Sequence, residues 1–175
     1  MDGTCYFCTQ MSKRVQIISK EVIAAKISRM ALEIIEQNFD EKSLIIIGVQ
    51  GRGTDVATSL QAEISKHSSL KTQLRLLKID KNKPIDAALE DETGLENAVV
   101  VLVDDVVNSG RTLLYACTPL LHHLLKKLQV AVLVDRSHKS YPISADFVGT
   151  SVATTLQEHI SVEVKNGEIL GAYLS

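Results

Sequence analysis

The segment that most constrains the fold is an apolar run that ends on two adjacent acids. Residues 99–103 are Val-Val-Val-Leu-Val, which is too short for a helix and rich in β-branched side chains. Such a run is typical of a strand buried on both faces of a parallel sheet. Asp104 and Asp105 follow directly, then Val-Val-Asn-Ser-Gly-Arg, and a helical pattern begins at Thr112. The segment therefore predicts a strand, a tight turn and a helix.

The turn between this strand and helix is suited to binding a phosphate group. The first backbone N–H groups of a helix have no partner within the helix, and they favour an anion. Gly110 allows close approach or a positive φ, and Ser109 and Thr112 add hydroxyl donors. Asp104 and Asp105 repel a phosphate, so we expect them to accept hydrogen bonds from vicinal sugar hydroxyls. The turn predicts a sugar phosphate site, and the alternative is an ordinary strand–helix turn with capping residues.

Two further apolar runs extend the predicted sheet. Residues 44–49 lead into Gln-Gly-Arg-Gly (50–53) and a second helix, and residues 130–135 form the third run. Alternation of strands and helices gives a parallel sheet with right-handed crossovers. Ligands bind at the carboxyl ends of strands in such sheets, and Arg52 suits a pyrophosphate because a guanidinium binds its oxygens bidentately. The alternative for residues 50–53 is a plain turn.

The remaining hydrophobic patterns complete an α/β fold. They predict, in order along the chain, a helix capped by Ser19 and running to about Asn38, a strand at 72–79, a leucine-rich helix at 113–128 kinked near Pro119, and a hairpin at 161–174 with an Asn-Gly turn. One face of the first helix is apolar and comprises Ile23, Ile27, Met30 and Ile34.

Composition excludes several classes of protein. The 175 residues are 45% hydrophobic and 23% charged with a net charge of −2, which predicts a soluble globular domain without a general attraction to nucleic acid or acidic membranes. No apolar run reaches the ~18 residues of a membrane helix and no signal-peptide core is visible, so we expect a cytoplasmic protein. Cys5, Cys8 and Cys117 make no disulfide framework. We predict a flexible segment at 1–12 and a single domain at 13–175.

The segment VVVLVDDVVNSGRT resembles the phosphoribosyl pyrophosphate signature of the type I phosphoribosyltransferases. The resemblance implies their fold: a central, mostly parallel sheet flanked by helices, with a small C-terminal hairpin or hood. It implies that Asp104 and Asp105 contact the ribose hydroxyls, that the following loop holds the 5′-phosphate, and that Arg52 acts with both acids in catalysis. The implied phosphoribosyl pyrophosphate site comprises Asp104, Asp105, Val107, Asn108, Ser109, Gly110, Arg111 and Thr112, and the implied pyrophosphate loop comprises Gln50, Gly51, Arg52 and Gly53.

The C-terminal part of the chain resembles one particular group within this family. The segment DRSHKSYPISADFVGTSVATTLQEHISVEV resembles the pyrimidine-operon attenuator proteins that also act as uracil phosphoribosyltransferases. By this resemblance Phe147 stacks on the base, Val148 lies beside it, and Arg136 supports base or pyrophosphate binding. Core packing is the alternative for Phe147 and Val148. Asn108 stands where purine relatives carry an acid, and an amide cannot act as a general base, so a pyrimidine ligand is expected.

The resemblance also implies a reaction and its partners. In the expected reaction, N1 of uracil displaces pyrophosphate from phosphoribosyl pyrophosphate and gives UMP. Mg²⁺ is expected to bind through the donor, with waters toward Asp104 and Asp105, and the sequence shows no separate metal site. The expected partners are the donor and a nucleobase or nucleoside monophosphate, with no membrane partner. A homodimer or higher homo-oligomer is expected.

Residues 80–97 depart from the family pattern. In the family this loop is a mobile lid that supplies positive charge, whereas here Lys81 and Lys83 are accompanied by Asp86, Glu90, Asp91, Glu92 and Glu96. Acidic side chains near an anionic substrate oppose closure of such a lid. Three hypotheses stay open: an active uracil phosphoribosyltransferase, an RNA-binding regulator that senses a nucleotide, and a ligand-binding relative with little activity.

The RNA-binding hypothesis requires a basic face. The candidate residues for such a face are Lys13, Arg14, Lys20, Lys26, Arg29, Lys126 and Lys127. The alternative is ordinary solvated surface charge.

Overall fold

The computed structural model describes residues 14–136, 139–153 and 158–175 and shows an α/β fold with two sheets. The main sheet has six strands in the order β4-β3-β2-β5-β6-β7, and a smaller sheet has the order β1-β9-β8. The elements are β1 (Val15–Ser19), α1 (Lys20–Gln37), β2 (Ser43–Val49), α2 (Arg52–His67), β3 (Lys71–Lys78), β4 (Ala88–Leu89), β5 (Val99–Val107), α3 (Arg111–Ala116), β6 (Lys127–Arg136), β7 (Phe147–Val152), β8 (Ile160–Lys165) and β9 (Glu168–Leu174), with short 3-10 helices at Pro84–Asp86 and Pro119–His122.

The main sheet is parallel except at one edge. β2 pairs in parallel with β3 and β5, β6 pairs in parallel with β5 and β7, and only the two-residue β4 is antiparallel to its neighbour. The prediction of a mostly parallel sheet flanked by helices, with a small C-terminal sheet, is confirmed. The carboxyl ends of β2, β5 and β6 therefore meet at one edge of the sheet.

β5 lies inside the sheet, and all nine of its residues are buried. Its side chains alternate between two cores, with Val101 and Val103 beneath α1 and α2 and with Val100 and Leu102 on the opposite face. The strand does not end at the two acids, as expected from the sequence, but continues to Val107. The additional residues pair with β6, which itself runs on to Arg136. The predicted turn is therefore shorter than the sequence suggested.

α1 forms as its pattern predicts. The Ser19 side chain accepts a hydrogen bond from the Val22 backbone N–H, and the predicted apolar face is buried. At the other end of the helix, the buried Asn38 donates its amide to Ile34 O at 2.8 Å and to Gln129 Oε1 at 2.9 Å. This buried polar contact joins α1 to β6. In the described residues, no helix is both long enough and apolar enough to cross a bilayer.

The prediction of one leucine-rich helix at 113–128 is wrong. α3 covers only Arg111–Ala116, a 3-10 helix follows at Pro119–His122, and β6 begins at Lys127. Pro119 lacks the N–H that would continue the helix, and the last residues of the predicted helix pair with β5 instead. Leucine content alone did not distinguish a helix from a turn followed by a strand.

The predicted C-terminal hairpin is confirmed, with β8 and β9 antiparallel and a turn at Asn166 and Gly167. β1, which the sequence did not reveal, completes this small sheet by pairing with β9. The flexible segment predicted at 1–12, with Cys5 and Cys8, lies outside the described residues, as does Lys13. The single domain at 13–175 stays a prediction.

Two isomeric side chains on α1 test the core. Ile34 is fully buried whereas Leu32 is 49% exposed. We expect Ile34→Ala to lower the free energy of unfolding by about 2–5 kcal/mol, because it leaves a cavity in the core, and Leu32→Ala to change it by less than about 1 kcal/mol. Urea denaturation measures both. Equal losses for the two variants would contradict the placement of α1.

Candidate functional site

The two acids of β5 are buried at the carboxyl edge of the sheet. Asp104 is 1% exposed and Asp105 is 4% exposed. The Lys81 ammonium lies 3.7 Å from Asp104 Oδ1 and 3.8 Å from Asp105 Oδ1. Asp104 Oδ1 also accepts a hydrogen bond from the Asp105 backbone N–H at 2.9 Å. Two acids and one lysine therefore form a compact charged group at the end of the central strand.

Burial dominates the electrostatics of this group. Burial and the neighbouring Asp105 charge raise the pKa of Asp104 well above its ordinary value, and Lys81 opposes that shift. The pKa of Asp55, in the first turn of α2, is also raised by burial and then by the charge of Asp105. A ligand that donates hydrogen bonds or carries a cation relieves this accumulation of negative charge.

The loop after β5 forms a hollow of phosphate size. Gly110 has φ +84°, in the left-handed region that favours glycine, and α3 begins at the next residue. The Arg111 backbone N–H donates to Ser109 Oγ at 3.3 Å. A cavity of about 70 Å³, room for several waters or one phosphate group, is lined by Lys81, Asp104, Val106, Val107, Asn108, Ser109, Gly110, Arg111, Thr112 and Leu113.

The connection between β6 and β7 covers the outer side of this loop. Ser109 O accepts hydrogen bonds from the backbone N–H groups of Ser140 and Tyr141, both at 3.0 Å. A Cβ added to Gly110 would lie 2.8 Å from Ile143 Cγ2, so the loop packs closely against this connection. The loop that lines the cavity is thus held in place by backbone from another part of the chain.

The residues predicted to bind pyrophosphate lie at the end of the neighbouring strand. Gln50, Gly51 and Arg52 are exposed between β2 and α2. Gly53 is buried, and a Cβ there would lie 3.0 Å from Asp104 Oδ1, so a larger residue would crowd the acids at the start of α2. Gln50 and Lys81 both line an open hollow of about 520 Å³. Lys81 therefore lies between this hollow and the phosphate-sized one.

The connection at 80–97 divides into two halves with different positions. Residues 80–87 lie at the carboxyl edge of the sheet, where Lys81 contacts the acid pair. The second half runs back along β3 to the opposite edge, where Thr93, Gly94 and Glu96 line a hollow beside the starts of β2 and β5. Of the acids that the sequence placed in a lid, Asp91, Glu92 and Glu96 lie toward that opposite edge. Asp86 lines the open hollow beside Lys81, and Glu90 pairs with Lys78, which lines the same hollow.

The acids of the second half also have side-chain partners. Lys78 pairs with Glu90 at 2.9 Å, Arg75 pairs with Asp91 at 3.7 Å, and His123 lies 3.4 Å from Glu92. Leu89 and Leu95 are buried and fasten the same segment to the core. The expectation that the acids oppose lid closure is wrong for Asp91, Glu92 and Glu96, because they are held away from the acid pair. For Asp86 and Glu90 it stays a prediction.

The residues predicted to contact the base are only partly brought to the site. Phe147 is 0% exposed and packs in the core beneath α1 and α2, so the structure does not bring it to the cavity and core packing explains it. Val148 is partly buried, and its carbonyl oxygen accepts from the Arg29 guanidinium at 2.6 Å. Arg136 Nη1 donates to Asn108 Oδ1 at 3.1 Å, beside the cavity.

The donor set of the site fits a magnesium ion that arrives with its substrate. The described residues contain no cluster of three or more metal-binding side chains. Asp104 and Asp105 offer hard carboxylate oxygens, which suit Mg²⁺ and its waters when a ligand supplies the remaining oxygens. The two acids fit that role, and no second group of protein ligands is needed.

A family model described as "Phosphoribosyl transferase domain" matches residues 15–165. This chain is a member of that family. The bifunctional protein PyrR of Haemophilus ducreyi is 33% identical over 160 residues, covering 86% of this chain and 89% of the relative. PyrR of Clostridium acetobutylicum is 34% identical over 165 residues, covering 89% of this chain and 93% of the relative. The predicted family, and with it the class of pentosyltransferases, is confirmed.

Crystal structures of other phosphoribosyltransferases share the fold. The hypoxanthine phosphoribosyltransferase of Trypanosoma cruzi aligns with a TM-score of 0.71 at 18% identity, over 79% of this chain and 82% of that chain. A hypoxanthine-guanine phosphoribosyltransferase from Bacillus anthracis gives 0.71 at 18% identity, over 90% of this chain and 95% of that chain. At these identities the likeness establishes the fold alone.

Sequence reasoning left two site residues unassigned. Lys81 was one of two lysines in the predicted lid, with no signal to choose between them, and Asp55 was only part of a helix start. The position of Lys81 in the chain could have identified it. Lys81 follows the end of β3, and β3 pairs in parallel with β2, so the residues just after β3 lie at the same sheet edge as the acids.

The raised pKa of Asp104 gives a pH-dependent test. The folded state holds this proton more tightly than the unfolded chain, so stability falls as pH rises from about 3.9 through the raised pKa. We expect Asp104→Asn, which mimics the protonated form, to be more stable than wild type by roughly 1–3 kcal/mol at pH 8 and equal to it at pH 4.

Urea denaturation at both pH values measures this difference. Asp40→Asn, an exposed acid beyond the end of α1, is the control and should show no such gain. A wild type and Asp104→Asn that are equally stable at pH 8 would contradict the described burial.

Proposed function

We propose that this chain transfers a 5-phosphoribosyl group from phosphoribosyl pyrophosphate to N1 of uracil, forming UMP and pyrophosphate. The observation that carries the proposal is the phosphate-sized cavity directly beside two buried carboxylates at the end of β5. A phosphate and a pair of vicinal hydroxyls are the two groups that such a site recognises together. They occur together in a ribose 5-phosphate.

Each part of the donor has a counterpart in the proposed site. The loop at 108–112 receives the 5′-phosphate through backbone N–H groups and hydroxyls, and Asp104 and Asp105 accept from the ribose hydroxyls. Arg52 and the exposed backbone of residues 50–53 receive the pyrophosphate from the neighbouring strand. Lys81, between the two hollows, adds a positive charge next to both ends of the donor.

The chemistry requires mainly positioning. The bond between C1 of the ribose and the pyrophosphate oxygen breaks, and its electron pair leaves with the pyrophosphate. The new bond forms between C1 and N1 of uracil, whose proton passes to the departing pyrophosphate. Charge develops on an oxocarbenium-like ribose, and the nearby carboxylates stabilise it. Bound Mg²⁺ supplies further neutralisation of the pyrophosphate charge.

The direct test is incubation of the full chain with labelled uracil, phosphoribosyl pyrophosphate and Mg²⁺. We expect labelled UMP, and no IMP when hypoxanthine replaces uracil, because the Asn108 amide cannot take a proton from a purine ring. Binding of UMP without any product would favour a nucleotide-binding relative with little activity. Conversion of hypoxanthine alone would refute the proposed base.

The acid pair can be tested by binding alone. Replacing both Asp104 and Asp105 by Asn removes the charges that hold the ribose hydroxyls, and we expect affinity for ribose 5-phosphate to fall about tenfold or more. Titration calorimetry measures it, and the exposed acid variant Asp40→Asn should bind like wild type. An unchanged affinity in the double variant would show that the acids do not contact the sugar.

A second activity is suggested by the word "bifunctional" in the names of the relatives. We propose RNA binding as the second candidate, from the resemblance to operon attenuators. The surface offers this candidate little support, because Arg14, Lys20, Arg29 and Lys126 each pair with a carboxylate. Absence of RNA binding at low salt, where phosphate contacts are strongest, would remove it.

A further inference from the structure

The side chain of Asn108 is oriented by an arginine from the neighbouring strand. β5 and β6 run in parallel and pair Val107 with Asp135, so Asn108, just after β5, lies beside Arg136, the last residue of β6. Arg136 Nη1 donates to Asn108 Oδ1 at 3.1 Å. A guanidinium has donors and no acceptor, so the amide atom that faces it must be the oxygen.

This hydrogen bond decides which atom Asn108 offers to a ligand. Asn108 lines the phosphate-sized cavity, and its side-chain oxygen accepts a hydrogen bond from Arg136. The remaining polar atom is the amide nitrogen, with two N–H donors. The bond to Arg136 fixes the orientation of the amide, whereas a freely rotating amide could present either its donors or its acceptor to a ligand.

The surrounding loop is held in a way that preserves this arrangement. Ser109 O accepts from two backbone N–H groups of the β6–β7 connection, and Gly110 packs against Ile143 of the same connection. The turn that carries Asn108 is thus fixed to the segment that follows Arg136. The two residues keep their relative positions because both belong to one hydrogen-bonded unit.

We propose that Arg136 is a positioning residue, which binds Asn108 so that the Asn108 amide nitrogen donates to an oxygen of the bound ligand. This inference rests on the proposed function and refines it. The acceptor is an oxygen of the ribose phosphate or a carbonyl oxygen of the pyrimidine, which share the same hydrogen-bonding chemistry. Arg136 thus acts through Asn108, whereas the resemblance implied that it supports base or pyrophosphate binding.

The test is a double-mutant cycle with two ligands, ribose 5-phosphate and UMP, measured by titration calorimetry. We expect Asn108→Leu and Arg136→Gln each to weaken binding roughly tenfold, because each removes one oriented hydrogen bond to a charged or polar group. The double variant should bind each ligand about as weakly as the single variant with the lower affinity. The losses should not add, because either substitution removes the same oriented hydrogen bond to the ligand. Arg136→Lys keeps a donor for Asn108 Oδ1 and should retain most of the affinity.

A matched control separates positioning from general loss of structure. Arg75 also donates to backbone carbonyl groups, those of Asp91 and Thr93, but at the opposite edge of the sheet. Arg75→Gln should lower the melting temperature and leave the affinity of the folded protein for both ligands unchanged. A merely structural role of Arg136 would give the same pattern as this control, and it would overturn the inference.

The two ligands identify the acceptor. Equal losses for ribose 5-phosphate and UMP place the acceptor on the ribose phosphate, and a loss restricted to UMP places it on the base; both support the inference. Wild-type affinity in Asn108→Leu, or losses that multiply to about a hundredfold in the double variant, would overturn it while the proposed function stands. A wild type that binds neither ligand would remove the proposed function and this inference together.

Discussion

The candidate site depends on the burial of two carboxylates at the end of the central strand. Asp104 and Asp105 follow five apolar residues into the interior, where ionised acids are unfavourable without compensation. The compensation within the described residues is modest, because Lys81 lies just under 4 Å from each acid and is itself half exposed. Buried acids with so little compensation are typical of a ligand-binding site and not of a stabilising contact.

Parallel pairing explains how residues distant in the sequence form one site. β2, β5 and β6 point the same way, so their carboxyl ends bring Gly53, Asp104 and Arg136 to one edge of the sheet. Small residues at the start of α2 let its backbone approach the acids closely. The site thus follows from strand order and from a few positions where a larger side chain would not fit.

The sequence predicted the parts of this fold that depend on local patterns. Runs of β-branched residues identified the buried strands, and the spacing of apolar residues identified α1, because burial on one or both faces leaves a direct trace in residue type. The region at 113–128 was misjudged because leucine suits a helix as well as a turn packed on a sheet. Pro119 ends the helix early, and this signal was present in the sequence. The pairing of Lys127 with β5 turns the following residues into a strand, and this tertiary contact was not.

The sequence likewise predicted some residues of the candidate site and missed others. The phosphate loop was visible because its chemistry is contiguous in the sequence, whereas the position of Lys81 depends on the path of a connection that no periodic pattern describes. Phe147 shows the opposite case, since a plausible role in base stacking gave way to the more general tendency of a strand aromatic to enter the core. Neither result could be read from the residues alone.

The divided connection between β3 and β5 has a further consequence. Its second half is fastened by Leu89, Leu95 and several ion pairs, while residues 80–87 contribute chiefly to the carboxyl edge. Pro84 is buried and Ala87 packs against the core, but the other six positions are exposed. Substitutions at those six can therefore change how the edge attracts or repels anions without loosening the sheet. In evolutionary terms, the chain holds a short stretch where ligand preference can diverge among related proteins while the scaffold is inherited intact.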